Sequence, residues 1–135
     1  MELFKAPLVL IINLKRFKHG KSKFSMYGVG AGKLQTHVDF PIEGLDLTSY
    51  MDRHSDGSES GEQYIYDLFG ISNHFGGTGG GHYTAFALNH LENQWYSFDD
   101  SSCQRTSTSR IITDAAYNLF YRRREKINLN KIDYD

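Results

Sequence analysis

Two short apolar stretches joined by a brief connection constrain this chain more than anything else in it. The first is entered through Gly79-Gly80-Gly81-His82-Tyr83 and runs from Tyr83 to Leu88; the second runs from Gln94 to Phe98 and leaves through Asp99-Asp100. Read as an antiparallel hairpin with its tip at His90-Leu91, the pair sets His82 across from Asp99. Directly opposed residues have Cβ atoms roughly 4.5–5.5 Å apart, so a carboxylate there can hold an imidazole N–H. Nucleophilic hydrolases need that orientation. A slip of one residue would bring Asp100 to the same place. The tip, Asn89-His90-Leu91-Glu92, has no Asn-Gly signature, so turn chemistry does not fix the register. A histidine at a strand start is by itself as readily an incidental surface residue. The glycine run and the aspartate pair favour function.

The glycines have two readings: a flexible connection, or a place where another backbone passes close by and side chains would block it. An extended peptide tail threading past His82 imposes the second demand.

The rest of the chain reads as mostly antiparallel β. Pro7 to Leu14 is nearly continuous apolar sequence rich in β-branched residues, the pattern of a central strand covered on both faces. Leu34 to Phe40 alternates loosely and stops at Pro41, which predicts a second strand. Asp46 to Tyr50 predicts a short helical turn. Met51 to Gln63 has almost no apolar residue and predicts a long surface loop. Tyr64 to Phe75 predicts a third strand, and Gly76 to Gly81 a glycine loop. Ser101 to Ser109 is polar. Ala115 to Tyr121 fits helix or strand by period. From Arg122 onward the chain is charged and expected to fray. Leu14, Phe17, Trp95 and Phe98 are assigned to the core.

Composition narrows the function classes. A chain of 135 residues has room for one domain with a modest core. Its net charge of −1 gives no bulk drive toward nucleic acid or membrane, and neither is expected as a partner. The basic stretches Lys15-Arg16-Phe17-Lys18-His19 and Arg122-Arg123-Arg124 read as solvated charge or a protein contact. Leu8 to Ile12 behind Lys5 is too short for a signal sequence and lacks a small-residue cleavage site. The single cysteine, Cys103, excludes an internal disulfide framework and points to a reducing compartment, cytoplasmic and/or nuclear. His74 and His82 have no acidic or Cys partner at ligand spacing, so no metal site is expected.

Six blocks then follow one another in order: Leu14-Lys15-Arg16-Phe17 after an apolar strand; Phe40-Pro41; Ile71-Ser72-Asn73-His74-Phe75-Gly76-Gly77; Gly81-His82-Tyr83; Trp95 with Phe98-Asp99-Asp100; and Ala116 to Tyr121. Together they resemble the C-terminal half of a ubiquitin-specific protease (USP) catalytic domain, from about Pro7 to Tyr121. The resemblance implies an α+β, mainly antiparallel β fold of the papain-like cysteine protease superfamily, the palm and fingers half of such a domain. The domain would occupy residues 1–123, with segments 51–63 and 76–81 flanking a channel, and residues 124–135 would be a charged tail. His82 corresponds to the general base of a Cys-His-Asp triad and Asp99 to the residue that orients it, with Asp100 as an alternative or auxiliary acid. Gly79, Gly80, Gly81, Tyr83 and His74 correspond to the channel for the C-terminal tail of ubiquitin.

The family's nucleophilic cysteine, its oxyanion asparagine and its zinc cysteine pairs lie upstream of these blocks. None is in this chain, so no cofactor is expected here and the family zinc site would lie upstream. Cys103 is four residues after Asp99, badly placed for a thiolate that must meet the other side of the imidazole. The resemblance therefore implies the His/Asp part of a thiol-dependent ubiquitinyl hydrolase, inactive alone. Its partners would be ubiquitin or ubiquitin conjugates and the N-terminal half of the domain, and it could self-associate without that half. The alternative is a non-catalytic ubiquitin-binding or scaffold module.

Overall fold

Alternating and apolar segments of this chain can bury themselves only by pairing side by side, and the computed structural model shows how they do so. It describes residues 2–17, 33–52, 62–77 and 80–124. Seven strands form one antiparallel sheet: β1 (Val9–Asn13), β2 (Leu45–Asp46), β3 (Ile65–Gly77), β4 (Gly80–Asn89), β5 (Gln94–Asp99), β6 (Ser102–Thr106) and β7 (Ala116–Arg123). The order is β1-β7-β3-β4-β5-β6, with β2 alongside the start of β3. Helix among the described residues is confined to two 3-10 turns, Thr48–Tyr50 and Thr108–Arg110. The first is the helical turn expected near Tyr50. No helix there is long and apolar enough to cross a membrane.

One face of the sheet carries the core. Tyr66, Leu68, Ile71, Trp95, Leu119 and Tyr121 are buried on it, and Phe40, Tyr64, Ile111 and Ala116 complete the cluster. Each large side chain taken fully out of water there contributes about 1.5–3 kcal/mol. Two buried tyrosines also tie down the crossing segments: Tyr66 Oη donates to Pro7 O and Tyr121 Oη to Pro41 O, both at 2.7 Å. Burial pushes the Tyr121 phenol up to about 12, which keeps its proton available for that bond.

Several expectations change in the folded chain. The run at Pro7–Leu14 is an edge strand rather than a central one. β7 pairs with both β1 and β3 and takes the inner position, so only alternate residues of β1 face the core. Val9 and Ile11 remain 47% and 59% exposed. Ala115–Tyr121, open between helix and strand, is β7. Leu34 to Phe40 forms no strand; the nearest ladder contact is the bridge from Lys33, just before it, to Phe17. The polar stretch after Ser101 supplies β6, an edge strand exposed on both faces from Ser102 to Arg105, where polarity is no bar to pairing. Arg122 and Arg123 belong to β7 instead of fraying, and Arg124 makes a two-pronged contact with Asp67 at 2.7 and 2.8 Å. The glycine stretch pairs in register through Gly76↔Gly81 and Gly77↔Gly80. Phe98 is 40% exposed, outside the core. Most of the Met51–Gln63 loop, residue Gly79 and the tail from residue 125 lie outside the described residues.

The basic stretch at Lys15–His19 also reads differently once folded. Arg16 is 3% exposed. Its guanidinium donates to three carbonyls: Ala116 O at 2.7 Å, Leu34 O at 3.0 Å and Thr36 O at 2.8 Å. It is the fastener that holds the strandless Leu34–Phe40 segment against β7. Lys18 and His19 lie outside the described residues.

Candidate active site

The site forms where β4 begins and β5 ends. Along a strand, side chains alternate between faces, so His82, Thr84 and Phe86 share one face of β4, and Trp95, Ser97 and Asp99 share the same face of β5. The ladder pairs Ala85 with Phe98 and Asn89 with Gln94, two residues away from the register expected from sequence. The turn is longer than expected, running from His90 to Asn93 with Asn93 in the left-handed region. Asn89 Oδ1 also accepts from Leu91 N at 3.1 Å, a local bond that shapes its start. A shift of two leaves the face unchanged. Asp99 therefore meets His82 diagonally rather than directly, and the pair still forms: His82 Nε2 lies 2.5 Å from Asp99 Oδ1.

Asp100 follows with φ 47°, a conformation short polar residues tolerate. That turn brings its carboxylate back, so ligating atoms of His82, Asp99 and Asp100 lie within 4.8 Å of one another. They are the one such group of His, Cys, Asp or Glu among the described residues, and all three are exposed. The Asp99 hydrogen bond raises the His82 pKa above the ordinary imidazole value, and the charges of Asp99 and Asp100 act in the same direction. With Nε2 engaged by Asp99, Nδ1 is the nitrogen left to exchange a proton with a reacting group. Cys103 pairs with Phe98 on β6, on the sheet face opposite Asp99 and His82.

Gly80, Gly81 and Tyr83 sit at the surface beside His82, with Tyr83 57% exposed. His74 does not: it is 4% exposed, behind that surface. Its ring packs on Tyr83 at 4.7 Å, Phe17 at 5.3 Å and Tyr117 at 5.9 Å between centroids. Tyr117 reaches it because β7 bulges between its pairings with Ser72 and Asn73. Lys33 Nζ donates to the His74 carbonyl. Burial, with the Lys33 charge beside it, lowers the His74 pKa. Lys33, Tyr117 and the buried role of His74 escaped the sequence reading, because they depend on contacts made across the sheet.

The glycines differ in what they permit. A Cβ at Gly80 meets nothing within 4 Å, whereas one at Gly81 collides with His74 Nε2 and the Phe75 carbonyl. Gly76 has φ +95° and no room for a Cβ against Gly80 O. Gly80→Val is therefore expected to keep native stability and Gly81→Val to lose about 2 kcal/mol or more. Chemical denaturation of the two variants checks this, and equal midpoints would show that the Gly81 contact carries no weight.

An antiparallel sheet with an imidazole held by a carboxylate at its rim is the architecture of this chain, and comparison with known proteins shows its family. A family model described as ubiquitin carboxyl-terminal hydrolase matches residues 1–121, and the chain belongs to that family. It is 42% identical over 123 residues to ubiquitin carboxyl-terminal hydrolase 10 of Arabidopsis thaliana, covering 91% of this chain and 12% of that protein. Against ubiquitin carboxyl-terminal hydrolase 4 of Pongo abelii it is 41% identical over 124 residues, covering 92% and 12%. Among solved structures it resembles Ubp8 in the SAGA DUB module with Sgf11, Sus1 and Sgf73, with TM-score 0.70 and 32% identity over 88% of this chain and 24% of that one. The same module bound to ubiquitin aldehyde gives TM-score 0.69, 32% identity and coverage of 88% and 25%. The chain thus spans about an eighth of the length of these curated relatives. Their USP domains share the papain-like fold, and the sheet described above is part of it.

Proposed function

We propose that this chain supplies the general base, His82, and its orienting carboxylate, Asp99, to a thiol-dependent deubiquitinase. The observation that carries this reading is the 2.5 Å contact between His82 Nε2 and Asp99 Oδ1 at the exposed rim of the sheet. Asp99 fixes the ring and favours its charged form. His82 Nδ1 then takes the thiol proton from a cysteine carried by another part of the protein. The thiolate attacks the carbonyl of ubiquitin's terminal glycine, the imidazolium gives its proton to the leaving amine, and water releases the acyl group. Ubiquitin's tail passes over Gly80, where the space is open, and past Gly81 on the side away from the His74 ring, with Tyr83 close by. Cys103 stands on the wrong face to act as the nucleophile.

The family's N-terminal half is the partner this reading requires. It would cover apolar surface such as that presented by Phe4, Leu8, Val9 and Ile11, which are 47% to 66% exposed in this chain. Surfaces of that kind on a soluble chain mark an interface. Left uncovered, this one favours self-association.

The test is complementation on a ubiquitin C-terminal amide. This chain alone is expected to show no turnover. Turnover should appear when the cysteine-bearing half of a family member is added, and His82→Ala should remove it. Turnover by the chain alone that disappears with Cys103→Ser would overturn the proposal. Ubiquitin binding without turnover in the complemented enzyme would establish the binding-module alternative.

A further inference from the structure

The general base stands on a backbone that has its own support. Gly81 immediately precedes His82, and the space where its side chain would be is filled by the His74 ring, with Nε2 foremost. The two residues belong to adjacent strands: His74 pairs with Tyr83, and Phe75 with His82. The ring is 4% exposed and cannot swing away, because Phe17, Tyr83 and Tyr117 hold it at centroid distances of 5.3, 4.7 and 5.9 Å. Its carbonyl is held in turn by Lys33. Its Nδ1 is buried without a hydrogen-bond partner, an arrangement that costs stability. What the buried ring does at this place is fill the space beside Gly81 with a flat side chain.

We propose that His74 is a positioning residue for His82, acting through Gly81. The buried ring fixes the start of β4 at the height that lets His82 Nε2 reach Asp99. This deepens the catalytic reading given above and rests on it for its meaning in turnover. The contact itself depends only on the fold. The need for a flat neutral wedge also accounts for the environment. The charges beside the ring are Lys33 and, next to Lys33, Arg16; the rings of Phe17, Tyr83 and Tyr117 and the backbone at Gly81 also border it. No carboxylate is paired with the ring among the described residues, so a proton on it would be poorly compensated and the ring stays neutral.

The experiment reads His82 directly, so its result does not depend on whether the assembled protein is a deubiquitinase. The His82 titration is followed by NMR in the 135-residue chain and in His74→Ala and His74→Phe variants, with Asp99→Asn as reference. His74→Ala is expected to lower the His82 pKa toward that of Asp99→Asn, because the unsupported strand end no longer holds ring and carboxylate together. His74→Phe, which keeps a flat ring under Gly81, should retain the raised value. Should His74→Ala fail to fold, His74→Asn stops short of the Nε2 position and is expected to show the same lowering. An unchanged His82 titration in a folded His74→Ala or His74→Asn variant would overturn the proposal, as would equal lowering in His74→Phe. In the complemented enzyme the expected signature is a fall in kcat of about 10²-fold for His74→Ala with KM little changed, the scale of a misplaced reacting group. A rise in KM at constant kcat would assign His74 to substrate binding instead and overturn the positioning role.

Discussion

Asp99→Asn in the complemented enzyme is expected to lower turnover by at most about 10⁴, the loss for a Ser-His-Asp triad, and by less to the extent that the amide oxygen still accepts from the ring as the asparagine of Cys-His-Asn triads does. Asp100→Asn is expected to cost far less. The two aspartates are adjacent, yet they stand in different relations to the imidazole. Asp99 makes the 2.5 Å contact with Nε2, while Asp100 adds only its charge. An amide at Asp99 can still accept from the ring through its oxygen, but it loses the charge that favours the imidazolium, and it can present N–H instead. At Asp100 the same change removes one nearby negative charge in an exposed setting, where screening is strong. The pH dependence follows with a definite sign. The His82 pKa is raised in the folded chain, so the pair's contribution to stability is fully present below about pH 6.5 and is lost as pH rises through the folded value. In Asp99→Asn that acid-side contribution should vanish and His82 should titrate nearer the ordinary imidazole value. Steady-state kinetics across pH 5 to 9, with the NMR titration alongside, checks both statements. A larger loss of turnover at Asp100 would exchange the two roles.

The pairing of His82 with Asp99 was legible in sequence even though the register was not. The turn from His90 to Asn93 displaces the hairpin by two residues, a detail set by Asn93's left-handed backbone and the Asn89 side chain. Strand periodicity is two, so the error left the face intact and the partners near. Local pattern failed where the answer lay elsewhere in the chain. Whether Val9 and Ile11 are covered depends on which strands flank β1, and nothing within Pro7–Leu14 states that β7 takes the inner place. β6 was passed over because an edge strand exposed on both faces needs no apolar alternation. His74 looked like a channel residue beside the glycines. Its burial follows from Phe17 and Tyr117, which lie 57 and 43 residues away in sequence.

Arg16 is the sharpest case of a residue whose role is invisible locally, and its loss should be the largest single blow to stability outside the apolar core. In sequence it sits among Lys15, Phe17 and Lys18 and reads as solvated charge. In the fold it is 3% exposed, and the carbonyls it binds belong to Ala116, Leu34 and Thr36. These lie on β7 and on a segment that has no ladder of its own. Arg16→Ala strips the donors from all three acceptors at once. A buried polar group left unsatisfied costs about 1–3 kcal/mol, and water entering the vacated space will recover part of that. A net loss of about 3 kcal/mol is therefore expected, equivalent to a fall in Tm on the order of 10 °C. Arg16→Lys should lie between, since a single ammonium cannot reproduce the planar fork that spans three carbonyls. The effect should also be local before it is global. Amide exchange should quicken first between Leu34 and Phe40, where only the exposed His37–Asp114 contact and the Tyr121–Pro41 bond at its far end would remain as side-chain tethers, while β3 and β4 stay protected until global unfolding. Denaturant melts together with residue-level hydrogen exchange test both parts. A loss below about 1 kcal/mol, with unchanged exchange from Leu34 to Phe40, would mean that the guanidinium merely fills space and that the segment is held by the packing of Phe40.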